Sequence, residues 1–247
     1  MKRKLLWAAG ILTAFLVLGY LGITLFLGSA VKAGVNRFAP SITQTPVRLE
    51  GALLSPFSGS GTLTGLLVGN PTGWSGDKAF YLGKVHLEIA PRSIFSDCIV
   101  INDVEIDHAE FVYETKVVSS NIGDLLKNMQ GASSDPSHEA QPTTKKGTPL
   151  KLMVKHFALT NGRVTLGFGP TALTLPMPPV VLNDLGTQQG GISPTDLTLA
   201  VMRTVSGSIV SATTNAAGKI GSTMGAAAGH AAKSAGQTVK GLFGGKE

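Results

Sequence analysis

The sequence predicts a mainly β protein with some α structure. We expect an N-terminal transmembrane helix, then a curved, largely antiparallel β-sheet of degenerate hairpin repeats with short helices, and a C-terminal helical tail rich in alanine and glycine. An uncharged apolar run opens the chain, alternating apolar and polar residues fill its middle, and one pattern in the middle recurs. The shifts in composition divide the chain into an anchor at 1–30, a β-rich domain at 31–190 and a tail at 191–247.

The apolar run extends from Leu5 to Gly28, which is 24 residues without a charge. As a helix it would measure about 36 Å, more than the ~30 Å hydrocarbon core of a bilayer. Lys2, Arg3 and Lys4 precede it, and the positive-inside rule places that end in the cytoplasm and the bulk of the chain outside. A cleaved signal peptide is the alternative, although its apolar region is typically only about 7 to 15 residues. Pro40 is predicted to end the helix.

The recurring pattern is clearest from Ile99 to Tyr113, where two strands are predicted to meet at a tight corner and form a hairpin-like unit with one apolar face. The segment Val154 to Leu166 matches Ile101 to Tyr113 position for position. A fainter copy, Leu63 to Pro71, keeps the spacing apolar-x-x-apolar-x-apolar before a turn. Because the spacing between copies is uneven, a degenerate β-array is expected rather than a strict solenoid.

Helical segments are predicted around and after the second copy. Ser120 to Met129 is a short amphipathic helix, and 131–147 lacks large apolar residues, which predicts a mobile loop. A later helix from Pro194 to about Ala212, with Ser193 as its cap, is expected to bury Leu197, Val201 and Val205. Beyond it, Ile209, Ile220, Ala231 and Leu242 recur every 11 residues, and the many glycines mean that this tail needs a surface to lie on.

The residue types that carry most chemistry are sparse, so we expect no enzyme and no cofactor. The chain has one cysteine, Cys98, and neither a nucleophile motif nor metal-ligand spacing among its five histidines. Asp103, Glu105, Asp107 and His108 would suit a divalent cation, but a solvated sheet face is the favoured interpretation. The net charge of +6 is modest and forms no basic stripe, which opposes nucleic-acid binding.

The apolar side of the predicted sheet is the stronger functional candidate. If helices do not cover it fully, it is a groove in which a lipid acyl chain can bury its methylenes. The alternative is that the same residues form a sealed core. The lipid-facing candidates are Val85, Leu87, Ile89, Val104, Ile106, Phe111, Tyr113, Val154, Leu159, Val164 and Leu166.

Leu53 to Trp74 contains an Asn70-Pro71 turn, and it is followed by Ile99 to Ile106 and by Phe111-Val-Tyr-Glu. Together these segments resemble the AsmA-like proteins, and the likeness covers about Thr45 to Gly186. The resemblance implies an inner-membrane protein with its bulk in the periplasm, tied to outer-membrane biogenesis or lipid traffic. Larger relatives are similar to bridge-like lipid-transfer proteins, whereas this chain is too short to cross a periplasm by itself.

Two functions therefore stay open. The first is a membrane-anchored protein that binds or guides phospholipid or other acyl chains along the apolar sheet face. The second is a structural or interaction protein whose sheet edge and C-terminal helix dock an envelope protein or another copy of the chain. The state of the apolar face, open or closed, distinguishes them.

Overall fold

The computed structural model describes residues 2–134, 142–144, 147–170 and 172–216. Part of the predicted loop and the tail from residue 217, with Ile220, Ala231 and Leu242, lie outside these ranges. The elements are α1 Lys2–Thr43, β1 Val47–Leu54, β2 Ser60–Gly69, β3 Lys78–Ile89, a 3₁₀ turn Pro91–Phe95, β4 Cys98–Asp107, β5 Glu110–Tyr113, α2 Asn121–Ser134, β6 Lys151–Thr160, β7 Arg163–Leu166, β8 Leu173–Pro176 and β9 Val180–Leu185. A third helix, α3, occupies residues 194–216.

The strands form one open, mostly antiparallel sheet, as the sequence predicts, but the predicted hairpin is wrong. Strands β4 and β5 both pair with β3 in antiparallel fashion, so they lie end to end as one ribbon. Strands β6 and β7 form a second ribbon, which runs parallel to the first. The chain continues forward at the corner because His108 adopts a left-handed φ of 58°, which redirects the strand without reversing it.

The parallel pairing follows the spacing of the repeated pattern. Cys98 pairs with Lys151 and Asp107 with Thr160, and the same offset of 53 residues continues from Glu110 to Arg163. The two corners are also matched, since Asn161 has a φ of 50° at the position equivalent to His108. Parallel neighbours require a crossover connection, and α2 lies in that connection.

A single crease crosses the sheet at these corners. Along a regular strand the inward positions are two residues apart, but at the crease they are three apart. This step runs from Leu63 to Leu66 in β2, from Leu82 to Val85 in β3, from Ile106 to Ala109 between β4 and β5, and from Leu159 to Gly162 between β6 and β7. Gly65, with a φ of 64°, continues the line of left-handed residues into β2. The apolar side chains therefore stay on one face although the strands bend.

One face of the sheet is covered by all three helices, which places the core between the sheet and the helices. The end of α1 contributes Val35, Ala39 and Ile42, while α2 and α3 contribute fully or largely buried side chains. Helix α1 is, among the described helices, the one long and apolar enough to cross a membrane.

Helix α1 does not end at Pro40 as predicted, because it continues to Thr43. Only three residues follow the proline. Ile42 packs on the core there, and Thr43 is buried and hydrogen-bonds the Ala39 carbonyl oxygen. Tertiary packing thus outweighs the local disfavour for the residue before proline.

The last part of α1 lies against the edge strand β1. The Asn36 amide oxygen accepts a hydrogen bond from the Leu49 N–H at 2.6 Å, and its amide nitrogen donates to the Leu49 carbonyl oxygen at 3.3 Å. At Gly28 the helix backbone approaches so closely that a Cβ would come within 2.1 Å of the Ala52 carbonyl oxygen. Helix α1 therefore covers this edge and runs antiparallel to β1.

This arrangement gives the sheet two distinct ends. The near end contains the β1–β2 turn at 55–59 and the 3₁₀ turn, beside the apolar part of α1. The far end contains the β2–β3 turn at 70–77, the β5–α2 connection at 114–120 and the β7–β8 turn. The strands run between these two ends.

Candidate functional site: the covered apolar face of the sheet

The structure brings the predicted lipid-facing residues together on one face of β3 to β7. Seven of them are less than 9% exposed: Val85, Val104, Ile106, Phe111, Val154, Leu159 and Val164. Leu87, Tyr113 and Leu166 are partly buried and pack against the same core, and Ile89 is half-buried. In this conformation the residues form a core, not an open groove.

The face is continuous along the strand direction. It begins with Ile101 at the near end, passes Val85 and Ile106 at the middle of the sheet, and reaches Tyr113 at the far end. Because β3 has 12 residues, this apolar path is roughly 40 Å long. Half-buried members stand at both of its ends.

Helix α2 covers part of the face with Ile122, Leu125 and Met129, all fully buried. Its N-terminal Asn121 is also buried, and α2 is held between β5 and β6 along the chain. The predicted helix is therefore present, and it is longer than predicted, extending to Ser134.

Helix α3 covers the rest with a stripe of buried side chains, Leu199, Met202, Val205 and Ile209. The predicted stripe is thus correct at Val205, whereas Leu197 and Val201 are only partly buried. Ser193 caps the helix as predicted, because its Oγ accepts a hydrogen bond from the Asp196 N–H at 3.0 Å. Ser208 Oγ donates to the Pro178 carbonyl oxygen at 2.9 Å, which joins α3 to the β8–β9 connection.

The opposite face of the sheet is polar. His156 hydrogen-bonds Asp103, and His86 is paired across strands with Glu105. The pKa of Asp107 is lowered, chiefly by the hydrogen bond that Asn161 donates at 2.8 Å and further by His108. Within the described residues no group of three or more histidine, cysteine or acidic side chains is arranged to hold a metal ion.

A buried polar network at the far end was not foreseen from the sequence. The Glu114 carboxylate accepts hydrogen bonds from the N–H groups of Ser75 and Gly76 and from the Asn70 side chain. Asn121 in turn donates to Asn70 and accepts from the Glu114 N–H. This network joins the Asn-Pro turn to the Tyr-Glu pair, and each satisfies buried polar groups of the other.

The near end carries a different set of side chains. The Tyr20 hydroxyl lies 3.2 Å from Ser55 Oγ, and the Tyr20 ring stacks on Phe57 with 5.7 Å between centroids. Leu53, Phe57 and Phe95 are nevertheless 59%, 74% and 82% exposed. The alternation of the sequence gives no sign of this contact, because it joins the anchor to a turn 35 residues later.

No protein-family model, curated protein or solved structure matches this chain.

Proposed function

We propose that the protein is a single-pass inner-membrane protein of the AsmA-like kind, with its sheet domain in the periplasm. In this proposal it binds or guides phospholipid acyl chains along the apolar face during envelope biogenesis. The carrying observation is the continuous apolar face, which leads from the end beside the anchor to the far end and lies under a helix that follows the last described strand.

The closed core is compatible with this function if an acyl chain displaces α3 from the sheet. Displacing α3 exposes four large apolar side chains at about 1.5–3 kcal/mol each, or roughly 6–12 kcal/mol in all. A C16 chain that buries most of its methylenes at ~0.8 kcal/mol each gains about ten kcal/mol. Measured from water, the two terms are similar in size, so an acyl chain that is already out of the bilayer can replace the helix on the sheet.

Helix α3 is better suited than α2 to such a displacement. Leaving the sheet breaks no strand pairing of β1 to β9, since α3 follows β9. Helix α2 connects two parallel strands, and its Asn121 belongs to the buried network.

A reversible lock between α3 and the sheet tests the proposal. In a Cys98→Ser background, Ser208→Cys and Pro178→Cys introduce one thiol on each of two residues that are now in contact, since Ser208 Oγ donates to the Pro178 carbonyl oxygen. We expect the full-length protein, purified from membranes, to carry phospholipid in native mass spectrometry when reduced and to lose it when the disulfide is formed before exposure to lipid.

The matched control pairs Asn128→Cys with Thr43→Cys, which links α2 to α1 at another hydrogen bond. This second disulfide should leave lipid binding unchanged. Equal lipid occupancy in the oxidised and reduced α3-locked protein, or no lipid in either form, would contradict the proposal.

The second candidate is an interaction protein with a permanently sealed core. The observation in its favour is the exposed apolar surface at the far end, where Val117, Val118 and Phe168 are 101%, 94% and 61% exposed. The sheet edges are less suitable than the sequence suggested. Helix α1 covers β1, and Pro176, Pro178 and Pro179 lack N–H donors along β8 and the approach to β9. A protein without lipid in every form of the lock experiment would favour this function.

A further inference from the structure

We propose that the near end of the sheet domain is embedded in the bilayer surface, with Leu53 and Phe57 of the β1–β2 region inserted among the lipids of the leaflet that faces the domain. The inference rests on the proposed function in one respect, namely that α1 spans the membrane. The exposed apolar patch formed by Leu53 and Phe57 is then covered by a lipid surface.

The first argument is the depth of Tyr20 in the bilayer. A bilayer core of about 30 Å takes about 20 helical residues, and every 20-residue window within the uncharged run from Leu5 to Gly28 contains Tyr20. In these windows Tyr20 lies between about 6 and 12 Å inside the boundary on the domain side, at 1.5 Å per residue. The Tyr20 side chain touches Ser55 and Phe57, so the turn lies close to that boundary.

The second argument is that the sheet domain contacts α1 at several positions along the helix. Asn36 pairs with the Leu49 backbone, Gly28 packs against Ala52, and Tyr20 contacts the turn. Contacts spaced along more than four helical turns fix the direction of β1 relative to α1. The sheet therefore stands with its strands along the anchor and its near end towards the membrane.

The chemistry of the near end suits this location. Leu53 and Phe57 are large, apolar and mostly exposed, and Phe95 adds another exposed ring in the 3₁₀ turn at the same end. Arg92 in that turn is exposed as well and can meet lipid phosphates. The exposed Val117 lies at the far end, about 26 Å away along the eight residues of β1, and cannot reach the same bilayer.

The consequence for lipid handling is that the apolar path opens at the membrane. Ile101 is the near-end member of that path, and its strand partner Ile89 donates its N–H to the carbonyl oxygen of Gly59 in the β1–β2 turn. An acyl chain that leaves the bilayer beside Phe57 therefore meets the start of the covered face.

Site-directed fluorescence in vesicles tests the inference. In the full chain with Cys98→Ser, Leu53→Cys and Phe57→Cys are labelled separately with an environment-sensitive dye and reconstituted into phosphatidylcholine vesicles containing brominated acyl chains. Leu12→Cys, inside the span in every one of these windows, and Val117→Cys, at the far end, are the matched exposed controls. We expect loss of fluorescence at positions 12, 53 and 57 and none at 117.

The controls separate the two proposals. Quenching at position 12 without quenching at 53 and 57 would overturn the embedded turn while leaving the membrane anchor in place. Absence of quenching at position 12 would overturn the anchor itself and, with it, the premise of this inference. Equal quenching at 57 and 117 would overturn the upright orientation of the sheet.

Discussion

The ribbon from Cys98 to Tyr113 and the ribbon from Lys151 to Leu166 share a pattern and a register, but they differ where they meet the rest of the chain. Both bend at a left-handed residue and present the same inward positions. The first ribbon continues into Glu114, which organises the far-end network, whereas the equivalent position in the second is Gly167, with a φ of 77°. The spacing of the inward apolar positions, which both ribbons share, determines the path of the backbone. The residues at other positions determine which neighbouring segments each ribbon contacts.

Removing Glu114 should produce the largest loss of stability, because this side chain organises the network that the first ribbon has and the second ribbon lacks. Glu114→Ala leaves the N–H groups of Ser75 and Gly76 without their acceptor and removes one of the hydrogen bonds of the Asn70 amide, and we expect the free energy of unfolding to fall by about 3 kcal/mol or more. Urea unfolding of the full chain in detergent, followed by circular dichroism, measures the change. The control is Glu110→Ala, whose exposed ion pair with Lys78 is worth less than about 1 kcal/mol. Equal losses in the two variants would contradict the prediction.

An intermediate effect on stability is expected at the two corners. The difference in stability between a valine and a glycine variant should have one sign at the crease and the opposite sign at a regular strand position. At His108 and Asn161 a valine would have to adopt the left-handed conformation, so we expect Val variants to be less stable than Gly variants by about 1–2 kcal/mol. At Glu105, an exposed strand position, Val should instead be more stable than Gly. Thermal unfolding of the six variants measures both differences, and the same order at all three positions would refute the crease as described.

The smallest effect concerns Asp107, the side chain that contacts both corners. Asn161→Ala should raise the pKa of Asp107 towards its ordinary value of 3.8, because the Asn161 hydrogen bond is the largest single cause of the lowered pKa. Since the pKa is lower in the folded protein than in the unfolded chain, the associated stability is present above 3.8 and is lost as the pH falls through the folded value. Carboxyl NMR titration measures the shift, and a pKa of Asp107 that is unchanged in Asn161→Ala would contradict the prediction.

Much of this architecture could be predicted from local patterns. The uncharged run predicts α1, alternation predicts the strands, and Ser193 predicts the start of α3. These signals depend on neighbours within a few residues, which is why the sequence contains them directly.

The pairing of the two ribbons could not be predicted in the same way. An apolar stripe with a corner at His108 is compatible with a hairpin or with a forward bend, and only the partners β3 and β6 distinguish them. The cover of the apolar face is likewise a tertiary property. Helix α3 has apolar residues around more than one side, and the sheet selects Leu199 and Met202 rather than Leu197 and Val201 for burial.

The constant offset between the two ribbons has a consequence for the order of folding. Strands β1 to β4 pair with near neighbours in the chain, so their contacts close short loops. The pairing of β4 with β6 spans 53 residues at every position, and its contact order is correspondingly high. We therefore expect the first four strands to assemble first, and the second ribbon to add to a template that is already formed.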